Sequence, residues 1–131
     1  MNSANEVAIY LAANNAALRI GKNLFVGDAP GATKNCVILT NTGGSQADQE
    51  CLERYPTFQV LVRSELKEYD WGYDMAFAIL RLLDRKYNLN MGALLVMKCA
   101  PIQDPAEIGK DEMQRWRFVN NYQLTLRDDG N

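Results

Sequence analysis

The sequence predicts a single α+β domain in which two main helices cover a mixed, mostly antiparallel sheet. Three observations carry that expectation. The chain has 131 residues, the size of one ordinary domain, and such a chain buries roughly 65–70% of its unfolded surface. Hydrophobic residues make up 47% and charged residues 23%, as in globular proteins generally. The periodic segments follow the order α-β-β-β-α-β-β, with hairpin-like and crossover connections mixed, which argues against a doubly wound parallel sheet.

The first segment reads as a helix. Ser3 and Glu6 form an S-x-x-E capping box, which would satisfy orphan amide donors at the helix start. Val7, Ala8, Leu11, Ala12 and Leu18 recur at helical spacing, and Gly21 is a natural C-terminal stop. Leu24 to Val26 is a short strand, followed by turn chemistry in Gly27-Asp28-Ala29-Pro30-Gly31. Cys36 to Thr40 is an apolar run, as expected of a strand covered on both faces, and Asn41-Thr42-Gly43-Gly44 breaks it. One glycine of the Gly43–Gly44 pair is expected at positive φ. Residues 45–55 read as a loop or a short helical turn.

Thr57 to Ser64 alternates, with Phe58, Val60 and Val62 on one face and Gln59, Leu61 and Arg63 on the other. Tyr69 to Tyr87 is the strongest helix, with Trp71, Met75, Ile79, Leu82 and Leu83 forming its apolar stripe. Gly72 near its start implies close packing or a boundary, since glycine costs a helix about 1 kcal/mol relative to alanine. Ala93 to Cys99 reads as a third covered strand and Pro101 to Lys110 as a loop. Trp116 to Leu126 is a closing strand with an aromatic and a polar face, and Asp128 to Asn131 a frayed tail.

Composition narrows the function. There is no histidine, which removes Ser-His-Asp and Cys-His nucleophile pairs, histidine metal ligands and the usual neutral-pH base. Fourteen basic and sixteen acidic side chains leave a net charge of −2, unlike a nucleic-acid polycation. The three cysteines, Cys36, Cys51 and Cys99, are widely spaced and odd in number, which suits a reducing compartment. Cys36 and Cys99 read as buried small hydrophobes. Met1 to Glu6 lacks signal-peptide character, and no apolar run approaches the roughly 20 residues of a membrane span. A soluble protein that stays where it is made, with no membrane contact, is expected.

No segment spells out complete catalytic spacing, and no cofactor, metal or catalytic residue is assigned. Gly27 to Gly31 lacks the P-loop spacing and a following helix. Thr42-Gly43-Gly44 reads as a special turn rather than an anion site. Carboxylate pairs such as Glu65/Glu68 and Asp104/Glu107 fall in loops or on solvated faces. In the stretch Gly109 to Phe118, arginines alternate with aromatics, but Asp111 and Glu112 dilute the charge. The readings of this stretch are a nucleic-acid stacking surface, a protein contact, and a local arginine–carboxylate brace.

A wider pattern joins these pieces. Leu24-Phe25-Val26-Gly27-Asp28-Ala29-Pro30 leads into Asn35 to Leu39 and then Asn41-Thr42-Gly43-Gly44. The strand Tyr55 to Arg63 and an aromatic-led helix from Tyr69 to Leu82-Leu83 follow. Then come Pro101, Ile108-Gly109-Lys110-Asp111, Arg115 and the strand Arg117 to Leu124. In order and spacing this resembles the minor capsid or tail-terminator family of long-tailed bacteriophages, over about residues 20–127.

The resemblance implies an assembly protein rather than an enzyme. It implies a homo-oligomeric, hexameric ring that caps the tail tube, stops its polymerisation and presents the head-joining surface. The partners would be the major tail tube protein and a head–tail connector protein, with DNA only passing through the lumen. The place would be the head–tail junction of the virion, after assembly in the bacterial host cytoplasm. Asp28, Pro30, Thr42, Gly43, Gly44, Arg63, Asp111 and Arg115 are the expected subunit, tail or head contacts, because loops at strand ends project towards neighbours. Arg63→Glu is expected to weaken assembly more than folding. The alternatives are a head-completion or neck adaptor ring, a small enzyme or nucleotide-binding domain using carboxylates and Arg115, and a transient protein-binding module.

Overall fold

The computed structural model describes residues 2–48 and 52–127. Helix α1 spans Ser3–Asn14 and α2 spans Tyr69–Leu83. The strands are β1 (Leu24–Val26), β2 (Cys36–Asp48), β3 (Glu53–Ser64), β4 (Lys86–Met91), β5 (Leu94–Pro101), β6 (Ala106–Lys110) and β7 (Trp116–Arg127). They form one sheet in the order β1-β2-β3-β7-β5-β4, with β6 also on β7. Only β1 runs parallel to its neighbour, and the other pairs are antiparallel. The expected α+β class with a mixed, mostly antiparallel sheet is the one observed.

Both helices lie on one side of the sheet. α1 packs over β1, β2 and β4, and α2 over β3, β5 and β7. Val7 and Leu11 of α1 and Met75, Ile79 and Leu83 of α2 meet Leu39, Phe58, Val62, Phe118, Tyr122 and Leu124 in one core. Phe58 and Tyr122 are register partners on β3 and β7, and their rings stack at 5.3 Å. Cys36 and Cys99 are buried, as expected. Gly72 is a close-packing site: a Cβ there would lie 2.5 Å from Ser64 Oγ and 2.6 Å from Phe118 Cε2.

Several local expectations give way. The cap of α1 is Asn2, whose side chain accepts from the Asn5 amide at 3.1 Å. Ser3 is already helical and buried, and the Glu6 carboxylate instead accepts from the Ala93 amide. The helix stops at Asn14, because Asn15 and Asn23 side chains bond the backbone of Ala17 and Arg19, an alternative to further helical turns. α2 ends at Leu83, where Asp84 turns extended and Arg85 takes φ +49°. The chain then enters β4 rather than a longer helix.

The expected break at Asn41–Gly44 is a bulge within β2, and residues 45–48 and 53–55 continue the β2–β3 pairing. The stretch 101–110, expected as a loop, contains strand β6, which pairs with the first half of β7 while β5 pairs with the second. β5 is covered on one face only, since Leu95 is exposed. Cys51 and the tail from Asp128 lie outside the described residues.

Candidate functional site

Pro30, Arg63, Asp111 and Arg115, half of the expected contact residues, gather at one end of the sheet. Cys36, Arg63 and Arg117 form a cross-strand row on β2, β3 and β7. It lies on the side of the sheet away from the helices, next to the apolar row Ile38, Leu61 and Val119. The loop after β1 folds over this end. Within it, Asp28 Oδ1 accepts from the Ala29 amide at 2.8 Å, and Pro30 O accepts from the Thr33 amide at 3.0 Å.

Three guanidinium groups hold the 30–33 loop and strand β6 through carbonyl oxygens. Arg63 reaches Thr33 O at 3.3 Å and Pro30 O at 3.5 Å. Arg115 reaches Gly31 O at 2.8 Å and Thr33 O at 3.0 Å. Arg117 reaches Ile108 O at 3.2 Å and Lys110 O at 3.4 Å. The planar fork of arginine suits such multiple donation. Asp111 closes the arrangement: its carboxylate accepts from the Met113 and Arg115 amides and from Arg115 Nε. Burial alone would raise the Asp111 carboxyl pKa, but the hydrogen bonds from Arg115 and Met113 outweigh it and hold the group below the usual carboxylate range. The arginine–carboxylate brace read from this stretch is therefore realised.

Arg63 stands on the face of β3 opposite Phe58, Val60 and Val62, as expected, but that face is covered here. The residue is only 9% exposed, because the 30–33 loop covers it. Asp28 and Pro30 are exposed. Beside the brace is an open groove of about 400 Å³ between Ala32, Lys34, Glu65, Leu66, Met113 and Arg115.

Thr42, Gly43 and Gly44 are not part of this cluster. Thr42 bonds Thr57 across the hairpin at 2.7 Å, and Thr57 pairs with Gln123, whereas Arg63 pairs with Arg117. That separation along β3 is roughly 20 Å. Gly43 and Gly44 both take positive φ, +91° and +144°, and both are exposed. The structure thus presents two separate loop surfaces.

An aromatic group on α2 went unread. Tyr69, Tyr73 and Phe77 recur every four residues; Tyr69 meets Trp116 and Phe118 of β7, Tyr73 meets Phe118, and Phe77 packs on Tyr73. Their spacing was the available signal, hidden beside the more apolar Met75/Ile79 stripe. Among the described residues, no three His, Cys, Asp or Glu side chains gather to hold a metal ion.

The fold is shared with known structures. A chain from the virion of a native gene transfer agent particle superposes with a TM-score of 0.70, at 15% identity, over 95% of each chain. A second solved chain superposes with a TM-score of 0.54, at 13% identity, over 93% of this chain and 91% of the other. No curated protein sequence matches. Residues 10–128 match the family described as bacteriophage tail terminator protein. With α2, every strand of the sheet and the end of α1 inside that match, the chain belongs to the bacteriophage tail terminator family.

Proposed function

We propose that this protein is a structural component of a phage-like virion, working as a ring at the end of the tail tube. The observation that carries this is the family match over residues 10–128. The ring, of six copies by the family resemblance, caps the tube, stops its polymerisation and offers a surface to a head–tail connector. DNA passes through its lumen. The protein works by surface complementarity and carries out no catalysis.

Within this proposal, the two loop surfaces make the contacts. Asp28 and Pro30 stand on the braced loop, and Arg115 and Asp111 keep that loop and residues 111–115 in one shape. Arg63 acts from beneath it, by shaping the loop. Thr42, Gly43 and Gly44 give the β2–β3 hairpin its second surface. A rigid, preformed loop loses less entropy on docking than a mobile one, which is what a brace of this kind supplies.

The test is tail length. Particles made without this protein should carry tubes of uncontrolled length and few joined heads. Tubes of normal length joined to heads would overturn the proposal. Tubes of normal length that lack heads would move the protein to a neck adaptor role.

A further inference from the structure

Two surface patches remain outside the loop brace and the hairpin bulge. The first is the aromatic strip on α2. Tyr69, Tyr73 and Phe77 share a helix face by their spacing, with ring centroids 6.5 Å and 4.8 Å apart along the strip. Tyr73 is 45% exposed. Exposed acids flank the N-terminal part of the strip, Glu68, Asp70 and Asp74 on or before α2 and Glu107 on β6, which accepts from Tyr69 Oη, while exposed Arg81 follows Phe77 at its other end. Lys110 sits over the Trp116 ring at 5.2 Å at the border.

The second patch is the β4–β5 corner. Tyr87 is 56% and Leu95 62% exposed. Exposed Lys98 is the register partner of Tyr87, and exposed Arg85 stands just before β4, whereas Lys86, the register partner of buried Cys99, points to the other face. The acid here, Asp84, is already paired with Arg85 at 2.9 Å.

The patches are far apart and face differently. Trp116 and Phe118 anchor the first at the start of β7, on the helix side. Lys98 pairs with Thr125 near the end of β7, on the opposite side from buried Leu124. The stretch from Trp116 to Thr125 spans roughly 30 Å of strand. A head-to-tail assembly needs two such distinct, complementary patches on one subunit. Opposite charge around exposed aromatic and apolar groups sets register and orientation in such contacts.

We propose that the acidic aromatic strip of one copy docks on the basic Tyr87–Leu95–Lys98 corner of the next copy of this chain. The proposal rests on the ring reading above and names the surface that builds the ring. Both halves of the match lie on the same chain, which selects a second copy as the occupant. The contact is made by side chains. Asn88, at φ +51°, interrupts the ladder of edge strand β4, an irregularity that discourages strand-to-strand addition.

Charge reversal tests it, with particle mass from light scattering and shape from electron microscopy, free and on tail tubes. Asp70→Lys with Asp74→Lys should weaken self-association at least tenfold, and so should Arg85→Glu with Lys98→Glu. Mixed in equal amounts, the two variants complement each other and assembly returns with alternating copies. A misfolded variant could not be rescued in this way. Either variant assembling normally alone overturns the contact, and so does an equimolar mixture that stays unassembled. Wild-type protein that remains monomeric both free and on tubes overturns the ring reading itself.

Discussion

Arg115 Nε lies 2.8 Å from Asp111 Oδ2, and the same guanidinium donates to the carbonyl oxygens of Gly31 and Thr33. One side chain therefore joins its own turn to a loop from the far end of the sequence. Both partners are largely buried, with side-chain exposures of 12% and 18%. Arg115→Ala should cost about 1–3 kcal/mol in urea unfolding and speed hydrogen exchange in residues 29–33. Arg115→Lys should recover little, because an ammonium lacks the fork.

Arg63 should behave as a structural residue. Its guanidinium is covered by the loop carbonyls of Pro30 and Thr33. Arg63→Glu would set an unpaired carboxylate against those oxygens, and should cost about 3 kcal/mol or more. Thermal unfolding of the purified monomer checks this, and the loss should appear without any assembly partner.

The brace should respond to acid. The folded Asp111 carboxyl titrates below its unfolded counterpart, so its contribution to stability is complete above the unfolded value of about 3.9. It is lost as pH falls through the folded value. Asp111→Asn should therefore be less stable than wild type from pH 8 down to about 5, and the gap should close at lower pH. Urea midpoints measured across that range provide the comparison.

The two hairpin glycines should differ. At Gly43 a Cβ meets nothing within 4 Å, while at Gly44 it would press on Tyr55 O and lie 2.8 Å from Pro56 Cα. Gly43→Ala should cost about 1 kcal/mol from its positive φ alone. Gly44→Ala should cost roughly 2–3 kcal/mol, since backbone must also shift. Chemical denaturation of both variants gives the ratio.

Gly72→Ala should destabilise although alanine favours helix. The propensity gain is about 1 kcal/mol at most, whereas the new methyl would collide with Ser64 Oγ and Phe118, an overpacking cost of about 1–3 kcal/mol. A melting temperature above that of wild type would contradict this account.

The buried thiols should be inert while the protein is folded. Burial, with Asp84 adding to it, pushes the Cys99 thiol up to about 12. Burial also raises Cys36, although Arg63 and Arg115 pull the other way. Alkylation requires the thiolate. At pH 8 mass spectrometry should find both sites unmodified, with modification appearing across the urea transition.

Legibility followed burial. The alternation of Phe58, Val60 and Val62 was readable because one face of β3 meets the core. The same alternation placed Arg63 on the other face, but could not show that a loop covers that face. β4 and β6 were unreadable because they are short edge strands of mixed polarity, and they take strand form from β5 and β7. The glycines at 43 and 44 read as a break because positive φ serves a bulge as well as a turn. Within the site, the Asp111–Arg115 pair was visible at helical-turn spacing. Its union with Gly31 and Thr33 was not, because a carbonyl oxygen carries no residue signature.

The order in which the strands are made gives β7 a further importance. β3, β5 and β6 all pair with it, yet it follows every one of them in the chain. During synthesis those strands wait with unsatisfied edges, and the sheet closes only after β7 has left the ribosome. Such late, long-range pairing slows folding and leaves exposed edges open to aggregation meanwhile. It also means that both proposed docking patches, one anchored at each end of β7, mature together, so a half-made subunit has no competent face with which to enter an assembly too early.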